Sequence, residues 1–222
     1  MMQPAETNSE NLVNAVKRLD DFQKAGLAIR IRQLENSLIG LVGGGASAFC
    51  SEKKLGDVLN AAYTVKQVAG QINVVIHTAG IILSLPFIMQ VDEKIESLSL
   101  GAGNTGKDFD LETNHQIAEF KFIDWRGGSE TIRQNALFKA FYQLAECNKS
   151  KRKCLYVVDD KYPRKFFGGR RAIKSVFSRF PALLADMRQR YGDKFVTVQD
   201  YYSFRKSDVS VVALKQIVPA LA

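Results

Sequence analysis

Apolar residues recur at helical spacing from Ser9 to Lys24, at Leu12, Val13, Val16, Leu19 and Phe22, with Ser9 placed to cap the helix. The same period predicts a second helix from Leu27 to Val42, stopped by Gly43-Gly44-Gly45, and a third beginning near Ser51. That third segment stays helix-like to Ala69 and, past Gly70, through the apolar run 73–89, where Pro86 should kink or end it. After Asp92 the period changes. Ile95, Leu98 and Leu100 open a strand, LSLGAGNTG supplies a turn, DFDLET (108–113) alternates with period two, Asn114-His115 make a short loop, and QIAEFKFIDW (116–125) alternates again. This predicts an antiparallel meander of three strands. Gly127-Gly128 break it, Ser129 can cap, and Ile132, Leu137, Phe138, Phe141, Tyr142, Leu144 and Ala145 form a helical stripe. CLYVV (154–158) reads as a central strand buried on both faces. A helix from Arg170 to Tyr191, a strand near Phe195–Val198 and a final helix or strand over Val209–Leu221 complete the expectation: an α/β domain over 71–222 behind a helical region over 1–70.

The composition, 46% hydrophobic and 24% charged over 222 residues, is that of a folded chain able to bury a core without staples. Three cysteines with no CxxC pair fit a reducing compartment better than a disulfide framework or a zinc site. The polar, acidic N-terminus carries no signal pattern, so the expected location is cytoplasmic. The run 73–89 is short for a membrane span and contains His77, Thr78, Ser84 and Pro86, so it is expected to be a core helix, with no membrane partner. Charge changes the picture further. The net +8 divides into 8 basic and 7 acidic residues over 1–90, 4 and 9 over 91–130, and 19 and 7 over 131–222. A local acidic cluster inside a basic chain suits a bound cation facing a polyanion.

Three motifs bear on the chemistry. Gly101–Lys107 satisfies GxxxxGK, but Asp108 stands where a phosphate loop needs a hydroxyl and the next segment is strand-like, so it reads as a tight turn. Ser51-Glu52-Lys53-Lys54 fits SxxK without its companion elements, and neither His77 nor His115 has a nucleophile placed beside it. The third is Asp110 with Glu119 and Lys121. Residues two apart in a strand share a face, so Glu119 and Lys121 point one way while Ala118, Phe120 and Phe122 point into a core. On the preceding strand Asp108, Asp110 and Glu112 share a face, with Phe109 and Leu111 on the other. The hairpin then gathers two or three carboxylates and one ammonium, a set that repels itself unless Mg²⁺ or Mn²⁺ sits in it. Such an ion would turn a bound water into a nucleophile for a phosphodiester, with Lys121 supporting it.

The order helix, three-stranded meander, helix, strand, with Asp110 on the second strand and Glu119-Phe120-Lys121 on the third, resembles the PD-(D/E)XK nuclease superfamily and its restriction-endonuclease-like core over residues 72–200. The resemblance implies a Mg²⁺-dependent (or Mn²⁺-dependent) endonuclease acting on DNA, with RNA open as a substrate. Asp110 and Glu119 would hold the metal together with the Phe120 carbonyl, and Lys121 would assist the water. It also implies an acid from the helix before the first strand, Glu93 ahead of Glu96, and a glutamine on the helix after the third, Gln134, although Phe138 replaces the tyrosine that accompanies it and Phe109 replaces the proline of the motif. Asp108 and Glu112 stay open as upstream ligands. Lys151, Arg152, Lys153, Arg164, Lys165, Arg170 and Arg171 are the expected phosphate contacts. The N-terminal helices are placed to dimerise, to recognise substrate or to bind a partner. The other reading is a non-catalytic nucleic-acid-binding module of the same fold.

Overall fold

The computed structural model describes residues 5–41, 43–101, 106–122, 125 and 130–221, without the side chains of 5–8, 43–44 and 46–47. The turn expected at 102–105, the strand extension through 123–124, the Gly127-Gly128 break and the Ser129 cap lie outside the described residues. Two compact units divide the chain, Met1–Asn73 and Val74–Ala222.

The first unit holds helices α1 (Ala5–Gln23), α2 (Leu27–Leu38) and α3 (Gly43–Glu52) and the opening of α4 (Leu55–Ile88). The glycine run does not stop α2. Gly40 does: it follows the last helical turn with φ 81 and Leu41 N–H closes on the Leu38 carbonyl, a left-handed ending that only glycine takes without strain. Gly43–Gly45 begin α3 instead. Among described side chains in this unit Ala15 and Ala61 are buried, while Val13, Ile29, Leu59 and Tyr63 are exposed.

α4 runs unbroken past Gly70 and through Pro86 to Ile88. It is long and apolar enough to cross a membrane, and 22% of its most apolar window is buried. The expected core helix is therefore one-sided. Ile81, Ser84 and Ile88 are buried, whereas Val75, Ile82, Leu83 and Phe87 face outward.

In the second unit, β1 (Ile95–Leu98), β2 (Leu111–Thr113) and β3 (Gln116–Lys121) form the antiparallel meander. After α5 (Thr131–Glu146), β4 (Arg152–Val157) lies parallel to β3, and β5 (Ser210–Ala213) lies parallel to β4. The result is an open mixed sheet in the order β1-β2-β3-β4-β5. Between β4 and β5 come α6 (Lys161–Phe167), α7 (Ile173–Val176), α8 (Pro181–Tyr191) and α9 (Val198–Arg205). The single helix expected over 170–191 is broken because Pro181 cannot continue α7 but fits the first position of α8. The strand expected at Phe195–Val198 is absent from the sheet. Thr197 and Asp200 form a reciprocal capping box that starts α9 there.

The sheet is covered on both faces. Ile117, Leu155 and Val157 pack with Leu137, Phe138 and Phe141 of α5 and with α6 to α9. Leu111, Ala118, Phe120, Cys154 and Tyr156 pack with Ile81 and Ile88 of α4 and with Leu214 and Val218. β4 contributes to both faces, as its continuous apolar run predicts. Gly80 sets how closely α4 lies on β3, because a Cβ there would meet the Phe122 ring at 2.4 Å. Thr78 fixes the same stretch by donating to the Leu100 carbonyl at 2.7 Å.

Candidate metal centre and the ends of the third strand

The alternation expected over 108–113 fails ahead of Leu111. Residues 108–110 are bends, and Phe109 and Leu111 enter opposite cores rather than one. β2 pairs Leu111 with Ala118 and Glu112 with Ile117 and ends there; the bend beyond it brings the Asp110 carboxylate to the Phe120 peptide, near enough for its charge to act on Glu119. Asp110 Oδ2 accepts the Phe120 N–H at 2.8 Å, and Oδ1 lies 3.4 Å from His77 Nε2. In an extended strand the N–H and C=O of one residue point to the same side, so the Phe120 carbonyl is turned to that edge too. Glu119 Oε2 accepts from Lys121 Nζ at 2.6 Å.

These side chains are only 13 to 21% exposed, so water screens them weakly. Burial raises the pKa of Asp110, but the hydrogen bond from His77, the Lys121 charge and the Phe120 N–H outweigh it and hold the carboxyl below its ordinary value. Glu119 goes the other way: burial, helped by the Asp110 charge, lifts it despite Lys121 and the more distant Lys139 of α5. Two neighbouring carboxyls are thus pushed apart in acidity, the pattern of a pair that would gain from a cation.

The donor set fits a hard divalent ion. Two carboxylates and a peptide carbonyl supply oxygen, the ligand type of Mg²⁺ and Mn²⁺, which bind through one or two carboxylates and keep waters. No closed cage of three or more His, Cys, Asp or Glu ligands exists among the described residues. His77 serves instead to orient Asp110. No nucleophile beside it in the sequence marks it, yet it stands in helical phase with Ile81, Ser84 and Ile88, on the face that α4 presents to the sheet.

Glu93 is not brought to this centre. It is buried at the hairpin end of β3, accepting from Thr113 Oγ1 at 2.5 Å, Gln116 Nε2 at 2.8 Å and Gln90 N–H at 3.0 Å. From Gln116 to Glu119 the strand rises about 10 Å. Burial opposes ionisation of Glu93, but those hydrogen bonds and Arg152 leave its pKa below the ordinary value. Glu96 and Glu112 are likewise engaged: Lys151 lies 2.5 Å from Glu96 and 3.0 Å from Glu112, and Lys149 lies 2.5 Å from Glu112. Asp108 is exposed. Of the three upstream acids it is Asp110 whose charge acts on Glu119.

The expected phosphate contacts separate into two groups. Lys151, Arg152 and Lys153 stand at the amino end of β4, beside Gln116 and Ile117 and away from Lys121. Arg152 donates to the Ile88 carbonyl at 3.3 Å, and Lys153 donates to the Cys147 carbonyl at 2.5 Å, closing the end of α5. Arg164 pairs with Asp160. Arg170 lines a shallow cleft with Thr197, Gln199 and Asp200. Arg171 donates to Gln134 Oε1, and both line a different cleft with Lys165. Gln134 therefore sits in the first turn of α5 facing Arg171. No match is found for this chain among known protein families, curated proteins or solved structures.

Proposed function

We propose that the chain is a Mg²⁺- or Mn²⁺-dependent nuclease with a restriction-endonuclease-like core, hydrolysing phosphodiester bonds in nucleic acid. One observation carries this reading: at the open end of the hairpin the Asp110 carboxylate accepts the Phe120 N–H and its charge acts on Glu119, with Lys121 on Glu119. The element order α4, meander, α5, parallel β4 supports it. A bound ion would supply an acidified water and neutralise charge on the phosphoryl group. The chain's own residues do the rest. The Phe120 N–H and His77 fix the Asp110 carboxylate, and Glu119 completes the oxygen pair. Lys121, held on Glu119 at 2.6 Å, would offer its ammonium to the attacking water or to the developing charge. The closed Glu119–Lys121 pair is also what a non-cleaving nucleic-acid-binding module would keep.

Incubation with labelled single- and double-stranded DNA and RNA, in Mg²⁺ and in Mn²⁺, separates the two. The nuclease reading expects metal-dependent cuts that Glu119→Ala and Lys121→Ala abolish without unfolding the protein. Cleavage that persists in EDTA overturns it, and salt-sensitive binding without turnover establishes the non-cleaving module.

A further inference from the structure

A cleft of about 300 Å³ opens at the carboxyl end of the parallel β3/β4 pair, lined by Trp125, Gln134, Tyr162, Lys165, Phe166 and Arg171. Gln134 reaches it from the start of α5, which follows β3; Tyr162 and Lys165 reach it from α6, which follows β4. Ligands of α/β sheets gather beyond the carboxyl ends of such strands, and this size is at the small end of organic-ligand sites.

Its lining is selective. The Trp125 and Tyr162 rings are 26° from parallel with centroids 6.2 Å apart, giving flat apolar faces. Trp125 Nε1–H is buried with no hydrogen-bond partner among the described residues. The Arg171 guanidinium is oriented by Gln134 and paired with no carboxylate among them. No Asp or Glu among the described residues lines the cleft, while Lys165 stands exposed beside it for an anion. A flat ring with hydrogen-bond acceptors on its edge and a phosphate attached matches every feature.

We infer that this cleft receives one unpaired nucleobase of a single-stranded nucleic acid: the ring stacks at Trp125 and Tyr162, its acceptors meet Arg171, and its phosphate meets Lys165. A paired, stacked base inside a duplex cannot present its face and edge in this way. The inference gives the proposed nuclease its substrate class, and rests on that reading for cleavage but not for binding.

Trp125 is the only tryptophan of the chain, so its fluorescence reports occupancy directly. The full chain is titrated in EDTA with a mixed-sequence single-stranded DNA 12-mer, with the same sequence as a blunt duplex, and with inorganic phosphate. The single strand quenches Trp125 saturably; duplex and phosphate do not. Arg171→Ala weakens the titration about tenfold, a hydrogen-bonded base being worth that much. Should Arg171→Ala fail to fold by circular dichroism, Tyr162→Leu replaces it with the same expectation. An equal quench by duplex or by phosphate overturns the inference, as does metal-dependent cutting of the strand without any quench. Quenching without cleavage keeps the base site and removes the nuclease reading.

Discussion

The two ends of β3 are built from the same kinds of residue and arranged to opposite effect. At the hairpin end Glu93, Thr113, Gln116 and Tyr156 satisfy one another, with Gln116 Oε1 accepting from the Tyr156 hydroxyl at 2.9 Å and Arg152 supplying the counter-charge to Glu93. At the carboxyl end two carboxylates act on each other, one amine serves the pair, and an arginine next to Gln134 has no acid partner among the described residues. A polar network complete in itself stabilises a fold; one left short of cation at one point and of anion at the next is arranged for something that binds.

The sharpest way to break this contrast is to neutralise one acid at each end. Glu119→Gln is expected to lower metal-dependent cleavage by about 100-fold or more while leaving Tm near that of the wild type. Glu93→Gln should do the reverse, keeping metal-dependent activity and losing Tm; paired thermal scans and cleavage assays read both. Next in size, Glu93→Ala leaves Thr113, Gln116 and the Gln90 N–H without their acceptor in a buried place, and should cost about 2–4 kcal/mol in urea denaturation. Gly80→Ala forces a methyl into the Phe122 ring and should cost about 1–3 kcal/mol, with cleavage falling as α4 and His77 move away from Asp110.

Acid titration separates the ends by sign. The folded pKa of Glu93 lies below the ordinary glutamate value of 4.5, so its contribution is complete above 4.5 and is lost as pH falls toward the folded value. The folded pKa of Glu119 lies above 4.5, so its contribution is present below 4.5 and is lost as pH rises through the folded value. Urea midpoints from pH 3 to 7 should therefore show Glu93→Gln flattening the acid limb and Glu119→Gln removing a loss on its upper side. The smallest effect on function is expected at Lys151: Lys151→Ala removes an exposed pair to Glu96 and a part-buried one to Glu112, at the start of β4, and should change neither strand binding nor cleavage, unlike Arg171→Ala.

Much of the sheet was legible because period-two alternation and a doubly buried run are direct prints of burial, and β1, β3 and β4 fall where those patterns lie. β2 is shorter than its pattern since alternation alone does not reveal a chain that bends at 108–110 to send Phe109 and Leu111 to different cores. The helices after β4 were harder. The short α6 is too brief to show a period, and the Thr197–Asp200 cap outweighs the apolar Phe195–Val198 run. Of the centre, Asp110, Glu119 and Lys121 could be read from spacing within one hairpin. Glu93 and the Lys151–Lys153 cluster lie at the other end of β3, because the parallel pairing that sets the start of β4 beside the start of β3 is not written in local spacing. His77 comes from a helix 33 positions before Asp110, and only packing brings it there.

β3 is the seam of the sheet, the last strand of the antiparallel half and the first of the parallel half. Its pairing with β2 joins Leu111 to Ala118, 7 residues apart, whereas its pairing with β4 joins Gln116 to Arg152, 36 apart. Closing the longer loop costs about 1.5 kcal/mol more in chain entropy. On a nascent chain the hairpin can therefore close while β4 is still being synthesised, and the two carboxylates come together in water, where their repulsion is weak. The parallel half then dries and sharpens a contact that has already formed.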